Sequence, residues 1–340
     1  MTPLDSPAIK KNMSVSVIMF TVTLALIPAL IAQIGFFGLQ ILGNLIIGIS
    51  FALILEAVCL KLRHYPIKPF LKDGSAFLTA WLLIISIPSS TPIWVMLVGL
   101  FFSIVISKHA YGGIGSNPFN PAMIGYAVLL ISFPKIMTNW PSAEQFDFNN
   151  FLNFSQLFSM FASIDIVDGI VSATPLDKIK TALFLGEPIN NSFSIFDQFN
   201  AYQIMSIFYL IGGLYLMIKK IITWHLPVSL ILSIFVFSFI LHQINPDVFM
   251  PSLFHLMNGA TFLAAFFIIT DPVSSPTTLR GKIIFGVMVG LITVIIRNFG
   301  GYPDGIAFAV IFMNIFVPLI ENSYSSPFLT CRLLVLINDK

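Results

Sequence analysis

Long apolar runs recur along almost the whole chain, and they constrain its fold more than any other feature. The first run, Ser14–Gly35, has 22 residues. At about 1.5 Å of rise per residue, a helix of this length crosses the ~30 Å hydrocarbon core of a bilayer. Such a run must satisfy its backbone polar groups internally, which favours a helix. Because only 9% of the residues are charged, against roughly 25% in soluble domains, the sequence predicts an all-α polytopic membrane protein.

Ten apolar runs are predicted to be membrane spans. They are Ser14–Gly35, Ile41–Leu60, Ser75–Ile87, Ile93–Ser107, Met123–Phe133, Ile204–Ile218, Ile222–Leu241, Leu253–Thr270, Ile283–Ile296 and Ile306–Ile320. These spans divide the chain into a first membrane half at residues 1–133, a polar segment at 134–203, a second membrane half at 204–320 and a tail at 321–340. The sequence therefore predicts about ten transmembrane helices and one long loop.

The distribution of basic residues predicts the orientation. An even number of spans places both termini on one side, and 13 of the 17 Lys and Arg residues then fall on that side. Cytoplasmic loops of membrane proteins carry an excess of Lys and Arg. We therefore expect both termini in the cytoplasm and the polar segment outside it.

Parts of the two membrane halves are similar to each other. The stretch GSAFLTAWLLIISIPSS, from Gly74, aligns with GATFLAAFFIITDPVSS, from Gly259, and HAYGG, from His109, aligns with RNFGG, from Arg297. Five spans per copy would invert the second copy in the membrane, so the sequence predicts two inverted five-helix repeats. Irregular stretches such as GGIGSNPFNPA and TDPVSSPTT interrupt the spans. Broken helices in matching places of two inverted halves often mark a binding site.

The polar segment contains the stretch DIVDGIVSATPLDKIK, Asp165–Lys180. Its small residues Ser172 and Ala173 precede Thr174, and the segment holds no histidine. An unassisted threonine hydroxyl is a weak nucleophile, so Thr174 is better suited to modification than to catalysis. On the residues alone, such a stretch in an acidic loop is a turn in most proteins, and no catalytic residue is predicted.

Few ionisable residues lie within the predicted spans. Glu56 lies in the second span, where a carboxylate is costly unless it is paired, hydrated or protonated. It is either a ligand for a transported cation or proton, or a carboxylate that pairs with Lys61 or Arg63 near the interface. Arg297 is placed to pair with Asp304. The cysteines and histidines lack metal-ligand spacing, so no metal site is predicted, and the few charges form no nucleic-acid patch.

Four stretches together resemble the RnfD family, whose members are membrane subunits of the ion-translocating Rnf electron-transport complex. The stretches are GGIGSNPFNPAMIGYAVLLISFP (Gly112–Pro134), DGIVSATPLD (Asp168–Asp177), TDPVSSPTT (Thr270–Thr278) and GGYPDGIAFAVIFMN (Gly300–Asn314). RnfD proteins are paralogues of the NqrB subunit of the sodium-pumping NADH:quinone oxidoreductase. The resemblance implies a fold like that of the urea transporters, which agrees with the inverted repeats.

The resemblance also implies a covalent cofactor. In the family, FMN is joined through its phosphate to a threonine in a motif similar to D-x-x-(S/T)-(G/S)-A-T. Asp168, Ala173 and Thr174 match this motif, Ser172 replaces the commoner Gly, and Val171 departs from it. The implied attachment residue is thus Thr174, and the rest of the implied flavin motif is Asp168, Ser172 and Ala173. A separate flavin transferase would attach the FMN. The family implies a second, non-covalent flavin in the membrane part.

The implied activity belongs to a complex in the bacterial inner membrane, with the Thr174 loop in the periplasm. The complex passes electrons between ferredoxin and NAD while sodium or protons move, and Glu56 resembles an acid of the ion path. This chain would be an enzyme subunit of that translocating oxidoreductase that is not catalytic alone, in contact with lipid and with the other Rnf proteins (RnfA, RnfB, RnfC, RnfE and RnfG). Two alternatives are a small-solute channel or transporter without a redox role and a structural component that has lost its flavin.

Overall fold

A computed structural model describes residues 14–113, 115–141, 146–151, 153, 171–185 and 201–324. Within these residues the helices are α1 (Val15–Phe37), α2 (Gln40–Leu62), α3 (Ile67–Leu71), α4 (Ser75–Ser86), α5 (Ile93–Phe101), α6 (Pro121–Ser132), α7 (Pro134–Thr138), α8 (Pro175–Phe184), α9 (Ala201–Ile218), α10 (His225–Ile244), α11 (Ser252–Met257), α12 (Thr261–Leu263), α13 (Leu279–Phe299) and α14 (Ile306–Tyr324). Helix α5 continues as a π-helix, Phe102–His109, and α12 continues as a π-helix, Ala264–Ile268. A short 3-10 helix covers Phe148–Phe151.

Six helices of the described chain are long and apolar enough to cross a membrane: α1, α2, α9, α10, α13 and α14. They correspond to the first, second, sixth, seventh, ninth and tenth predicted spans, and their bounds agree to within a few residues. The prediction of an all-α polytopic membrane protein is therefore confirmed.

The other four predicted spans form shorter or interrupted helices. Helices α4 and α6 have 12 residues each, and α5 with its π-helical end is also below the length of the six long helices. The predicted span Leu253–Thr270 is not one continuous helix. It breaks at Asn258–Ala260, where Gly259 has a φ of 83°, a left-handed conformation that glycine adopts without a steric penalty.

Small residues allow the long helices to pack closely. Helix α9 crosses α1 where Gly212 lies against the Ala25 carbonyl group, so a side chain at Gly212 would collide with backbone. Helices α10 and α13 meet where Gly290 faces Ser233. Close approach through glycine and serine is a common way to join helices within a membrane.

A two-stranded antiparallel sheet positions the described part of the polar segment. Strand β1 (Trp140–Pro141) pairs with β2 (Val171–Ser172), with Trp140 opposite Ser172. Because α8 begins three residues after Ser172, this pairing holds the start of α8 near the end of the first membrane half. The predicted residues Asp165 and Asp168, most of the polar segment and the tail beyond residue 324 lie outside the described residues.

Candidate functional site

Thr174 caps the N-terminus of α8. The Thr174 hydroxyl accepts a hydrogen bond from the Asp177 backbone N–H (3.2 Å) and donates one to Asp177 Oδ2 (2.7 Å). The sequence Thr-Pro-Leu-Asp favours this arrangement, because threonine is a good N-cap and an acid three residues later completes a capping box. Pro175 occupies the first helical position, where its missing N–H costs nothing.

Helix α8 is anchored to the membrane part of the protein. Its residues Leu176 and Ile179 are buried against Met250 and Phe254. Lys180 Nζ donates to the backbone carbonyl of Tyr302 (2.6 Å) and lies 3.4 Å from two further carbonyl oxygens, those of Ile296 and Arg297. Burial lowers the pKa of the Lys180 ammonium group. These contacts fix the position of Thr174 relative to the spans.

A cavity opens beside Thr174 and continues between the two membrane halves. We call it the outer cavity. Its walls include residues of both halves and of the polar segment between them: Gln33, Ile85, Tyr126, Trp140, Thr174, Asp177, Tyr202, Tyr209, Gly259, Leu263 and Asp304. The aromatic rings of Trp140 and Tyr202 lie edge to face at a centroid distance of 6.1 Å. The cavity therefore offers a mainly apolar space with aromatic walls and a hydroxyl at one side.

Two polar atoms in the walls of the outer cavity lack a partner. Gln33 Nε2 donates to the Ile85 carbonyl (3.1 Å) and to the Tyr209 hydroxyl (3.3 Å), which fixes the amide of this buried side chain. In the described residues, however, Gln33 Oε1 and the Tyr202 hydroxyl are buried without a hydrogen-bond partner. Buried polar atoms normally find partners, so these two are places in the cavity where a water molecule or a polar ligand can bind.

A buried ion pair closes one wall of the outer cavity. Asp304 Oδ1 lies 3.1 Å from Arg297 Nη2, and the Arg297 side chain is 0% exposed. Arg297 also donates to the His255 carbonyl (2.7 Å) and to Thr261 Oγ1 (3.1 Å). Asp304 Oδ2 accepts from the Ala260 backbone N–H (2.9 Å). The predicted pairing of Arg297 with Asp304 is confirmed, and it holds the break at Gly259 against the GGYPDG loop.

A second cavity, the inner cavity, lies where the irregular stretches of the two halves meet. It is lined by residues that include Ser75, Thr79, Lys108, Asn117, Asn120, Thr270 and Asp271. Asn120 joins the two halves directly, since its side chain caps α6 and donates to the Ile268 carbonyl (3.2 Å). Both predicted broken stretches thus contribute to the wall of a cavity.

Glu56 belongs to a buried charge cluster next to the inner cavity. Its carboxylate lies 2.8 Å from Lys108 Nζ and 2.9 Å from His109 Nε2, and each of the three side chains is at most 4% exposed. Lys108 Nζ also donates to Ser75 Oγ (2.8 Å). The predicted pairing of Glu56 with Lys61 or Arg63 is therefore wrong. The π-helical end of α5 carries Lys108 and His109 into the protein, whereas the sequence placed them in a loop.

The rest of the predicted attachment motif is only partly described. Ser172 lies in β2, with its hydroxyl 3.3 Å from the Ala173 carbonyl, and Ala173 is exposed. Small side chains at both positions put little bulk beside Thr174. Asp168 lies outside the described residues. Sequence reasoning missed Asp177 as a partner of Thr174, although the capping-box spacing pointed to it.

These features define a multi-pass helical membrane protein with cavities between its two halves. The sequence profile of the NQR2, RnfD, RnfE family matches residues 4–327. The chain belongs to this family, and the resemblance found from its motifs is confirmed.

Curated relatives match along nearly their whole length. A protein from Cronobacter sakazakii, named as the D component of an ion-translocating oxidoreductase complex, is 44% identical over 333 residues, covering 93% of this chain and 95% of the relative. Proteins of the same name from Aliivibrio salmonicida and Pectobacterium atrosepticum are 43% and 44% identical, and each alignment covers 95% of this chain and 96% of the relative.

Proposed function

We propose that this chain is the flavin-bearing subunit of a membrane complex that couples electron transfer between ferredoxin and NAD to movement of sodium or protons. Its family and the shared name of its relatives support the broader role of a subunit in an ion-translocating oxidoreductase complex. One observation carries the flavin proposal. The Thr174 hydroxyl caps a helix at the edge of a cavity in which two buried polar atoms, Gln33 Oε1 and the Tyr202 hydroxyl, have no partner among the described residues.

The end of α8 suits the phosphate of an attached FMN. A phosphodiester on Thr174 Oγ1 would lie at the N-terminus of a ten-residue helix. Backbone N–H groups and the positive end of the helix dipole both favour an anion there. Attachment at an N-cap residue therefore gives the phosphate a favourable place without any additional basic side chain.

The outer cavity suits the flavin ring. The polar edge of an isoalloxazine presents one N–H donor and two carbonyl acceptors, while its faces are apolar. Gln33 Oε1 can accept from the N–H, the Tyr202 hydroxyl can donate to a carbonyl, and the Trp140 ring borders the same space. Bound FMN would supply one- and two-electron transfer, with a potential tuned by these groups. The residues present thus fit the covalent cofactor that the motif implies.

The inner cavity is our candidate for the second, non-covalent flavin. Its wall contains the side chains of Asn117, Asn120 and Lys108, each of which is at most 5% exposed. Amide groups and an ammonium group in a mainly apolar pocket are the usual means of orienting a small polar ligand. This assignment is independent of the attachment at Thr174.

We also place Glu56 on the ion path. Glu56 is 2% exposed and lies beside the inner cavity. Lys108, which pairs with Glu56, and Ser75 both line that cavity. Because the Lys108 ammonium already lies 2.8 Å from the carboxylate, an incoming cation or proton must compete with it. Such competition would couple ion binding to a rearrangement of the cluster.

The proposed architecture has ten crossings in two inverted repeats, with both termini in the cytoplasm of a bacterial inner-membrane protein. Two structural features support it. The helices of each half follow in the same order, two long helices before a short one. The aligned stretches also begin with Gly74 and Gly259, whose φ angles are 77° and 83°. On this topology Thr174 faces the periplasm, where a flavin transferase would load it and other subunits of the complex would exchange electrons with it.

Flavin fluorescence of the denatured chain tests the proposed attachment. The wild-type chain, produced with a flavin transferase, is expected to give a fluorescent band under ultraviolet light after denaturing electrophoresis. Thr174→Ala should abolish the fluorescence, because the ester oxygen is gone, whereas Thr181→Ala, which replaces an exposed threonine on α8 outside the motif, should retain it. A fluorescent Thr174→Ala band would refute the site. A dark wild-type band, with the transferase active on another acceptor, would favour a transporter or a structural subunit.

A further inference from the structure

The Thr174 hydroxyl and the Asp177 carboxylate form a donor–acceptor pair. Thr174 Oγ1 lies 2.7 Å from Asp177 Oδ2, and in the described residues the hydroxyl donates to no other group. The backbone N–H of Asp177 donates back to the same oxygen over 3.2 Å, which fixes the threonine rotamer. The proton that must leave Thr174 before it is esterified therefore already points at a carboxylate oxygen.

We propose that Asp177 is the proton acceptor for flavin attachment, an inference that rests on the proposed attachment at Thr174. The donor must be a flavin dinucleotide, because its pyrophosphate provides an activated FMN phosphoryl group. The Thr174 Oγ1–P bond forms as the P–O bond to the nucleoside monophosphate breaks, and the monophosphate leaves with that electron pair. The hydroxyl proton passes to Asp177 Oδ2. A base at this position removes the main weakness of threonine as a nucleophile.

The surroundings single out Asp177 for this role. Asp304 and Lys180 are the charged groups that act on it, and the phenols of Tyr126 and Tyr202 also lie within electrostatic range. The Asp304 carboxylate is occupied by Arg297 and the Ala260 N–H, and the Lys180 ammonium group is bound to carbonyl oxygens. Burial raises the pKa of the Asp177 carboxyl above its ordinary value, and its hydrogen bonds with Thr174 oppose this effect. A raised pKa makes Asp177 a stronger base than an exposed aspartate.

The same residue would also stabilise the product. Once it is esterified, Thr174 Oγ1 can no longer donate a hydrogen bond. The anionic phosphodiester and an ionised Asp177 carboxylate would also repel each other. If Asp177 keeps the transferred proton, its hydroxyl can donate to a phosphate oxygen instead. The hydrogen bond between the two side chains then persists with its direction reversed.

The rate of attachment as a function of pH tests the proposal. The purified full-length chain is mixed with flavin transferase and flavin dinucleotide, and the initial rate of covalent fluorescence is normalised to a second acceptor protein at each pH. The wild-type rate should rise with pH through the pKa of Asp177, because only the carboxylate is a base. Asp177→Asn, which still accepts the hydrogen bond from Thr174, should slow attachment about 10²-fold and abolish this rise. The exposed neighbouring variant Lys178→Gln should behave like wild type.

Each outcome decides the proposal. An Asp177→Asn variant that is loaded at the wild-type rate, or one that is slower but keeps the wild-type pH profile, would show that Asp177 only positions Thr174. If thermal unfolding shows that Asp177→Asn does not fold, Asp177→Glu decides between the outcomes. An attachment rate of Asp177→Glu that still rises with pH supports a base at this position. A rate that does not change with pH refutes it. A wild-type chain that gains no flavin at Thr174 would instead overturn the attachment itself.

Discussion

At the scale of single residues, the π-helical end of α5 determines which side chains surround Glu56. The sequence identified Glu56 as an unusual acid within a span and offered two alternatives, an ion-path ligand and a pair with Lys61 or Arg63, and the second is wrong. Lys108 and His109 reach Glu56 because the last turns of α5 are π-helical, which the residue pattern does not indicate. Thr174, in contrast, is predicted to carry the flavin from the family resemblance of its motif, and the structure added the hydroxyl's contact with Asp177.

Replacing Glu56 with glutamine tests its place on the ion path. We expect Glu56→Gln to lower coupled sodium or proton uptake by vesicles that contain the complex by about tenfold, which corresponds to about 1.4 kcal/mol in the barrier. The reason is that glutamine retains the size of the side chain but loses the charge that holds Lys108.

The exposed variant Asp247→Asn serves as the control. Covalent flavin fluorescence should be unchanged in both variants, which separates ion coupling from loading of the cofactor. Unchanged uptake in a stable Glu56→Gln complex would remove this residue from the path.

At the scale of helices, the contact of α10 with α13 depends on the absence of side chains at glycine positions. A Cβ atom at Gly290 would lie 2.7 Å from both the Cβ and the Oγ of Ser233 and 3.0 Å from the Leu230 carbonyl oxygen. Backbone cannot move as cheaply as a flexible side chain, so a larger residue must separate the helices. The sequence predicted both helices but not which of their residues meet, because that depends on how the helices are rotated.

We therefore expect Gly290→Val to destabilise the protein by about 1–3 kcal/mol, the usual cost of overpacking a filled interface. The thermal unfolding midpoint in detergent should fall by several degrees. Gly301→Val provides the matched control, since no atom of the described residues lies within 4 Å of a Cβ atom at that position. Equal midpoints for the two variants would show that α10 and α13 do not pack as described.

At the scale of the whole molecule, the sequence predicted the membrane class and all six long helices. It predicted the interrupted helices less well, because their breaks depend on contacts between residues far apart in the sequence. The left-handed Gly259 and the Arg297–Asp304 pair stabilise one such break, and they meet only in the folded chain. The outer cavity could not be predicted for the same reason, since Gln33, Thr174 and Asp304 are far apart in sequence.

Chemical labelling tests the proposed orientation. Lys178→Cys and Lys219→Cys place thiols at two exposed positions on α8 and just beyond α9. A maleimide that does not cross membranes should label Lys178→Cys in cells whose outer membrane is permeabilised. It should label Lys219→Cys only after the inner membrane is opened. The reverse pattern would invert the topology and place Thr174 in the cytoplasm.

The mass of the peptide that contains Thr174 tests the covalent attachment of FMN most directly. The chain is purified after production with a flavin transferase, digested, and sequenced by mass spectrometry. We expect the mass of Thr174 to increase by that of one FMN less one water, the signature of a phosphoester on Oγ1. An unmodified Thr174, or an adduct on Ser172 instead, would contradict the central claim that this capping threonine carries the flavin.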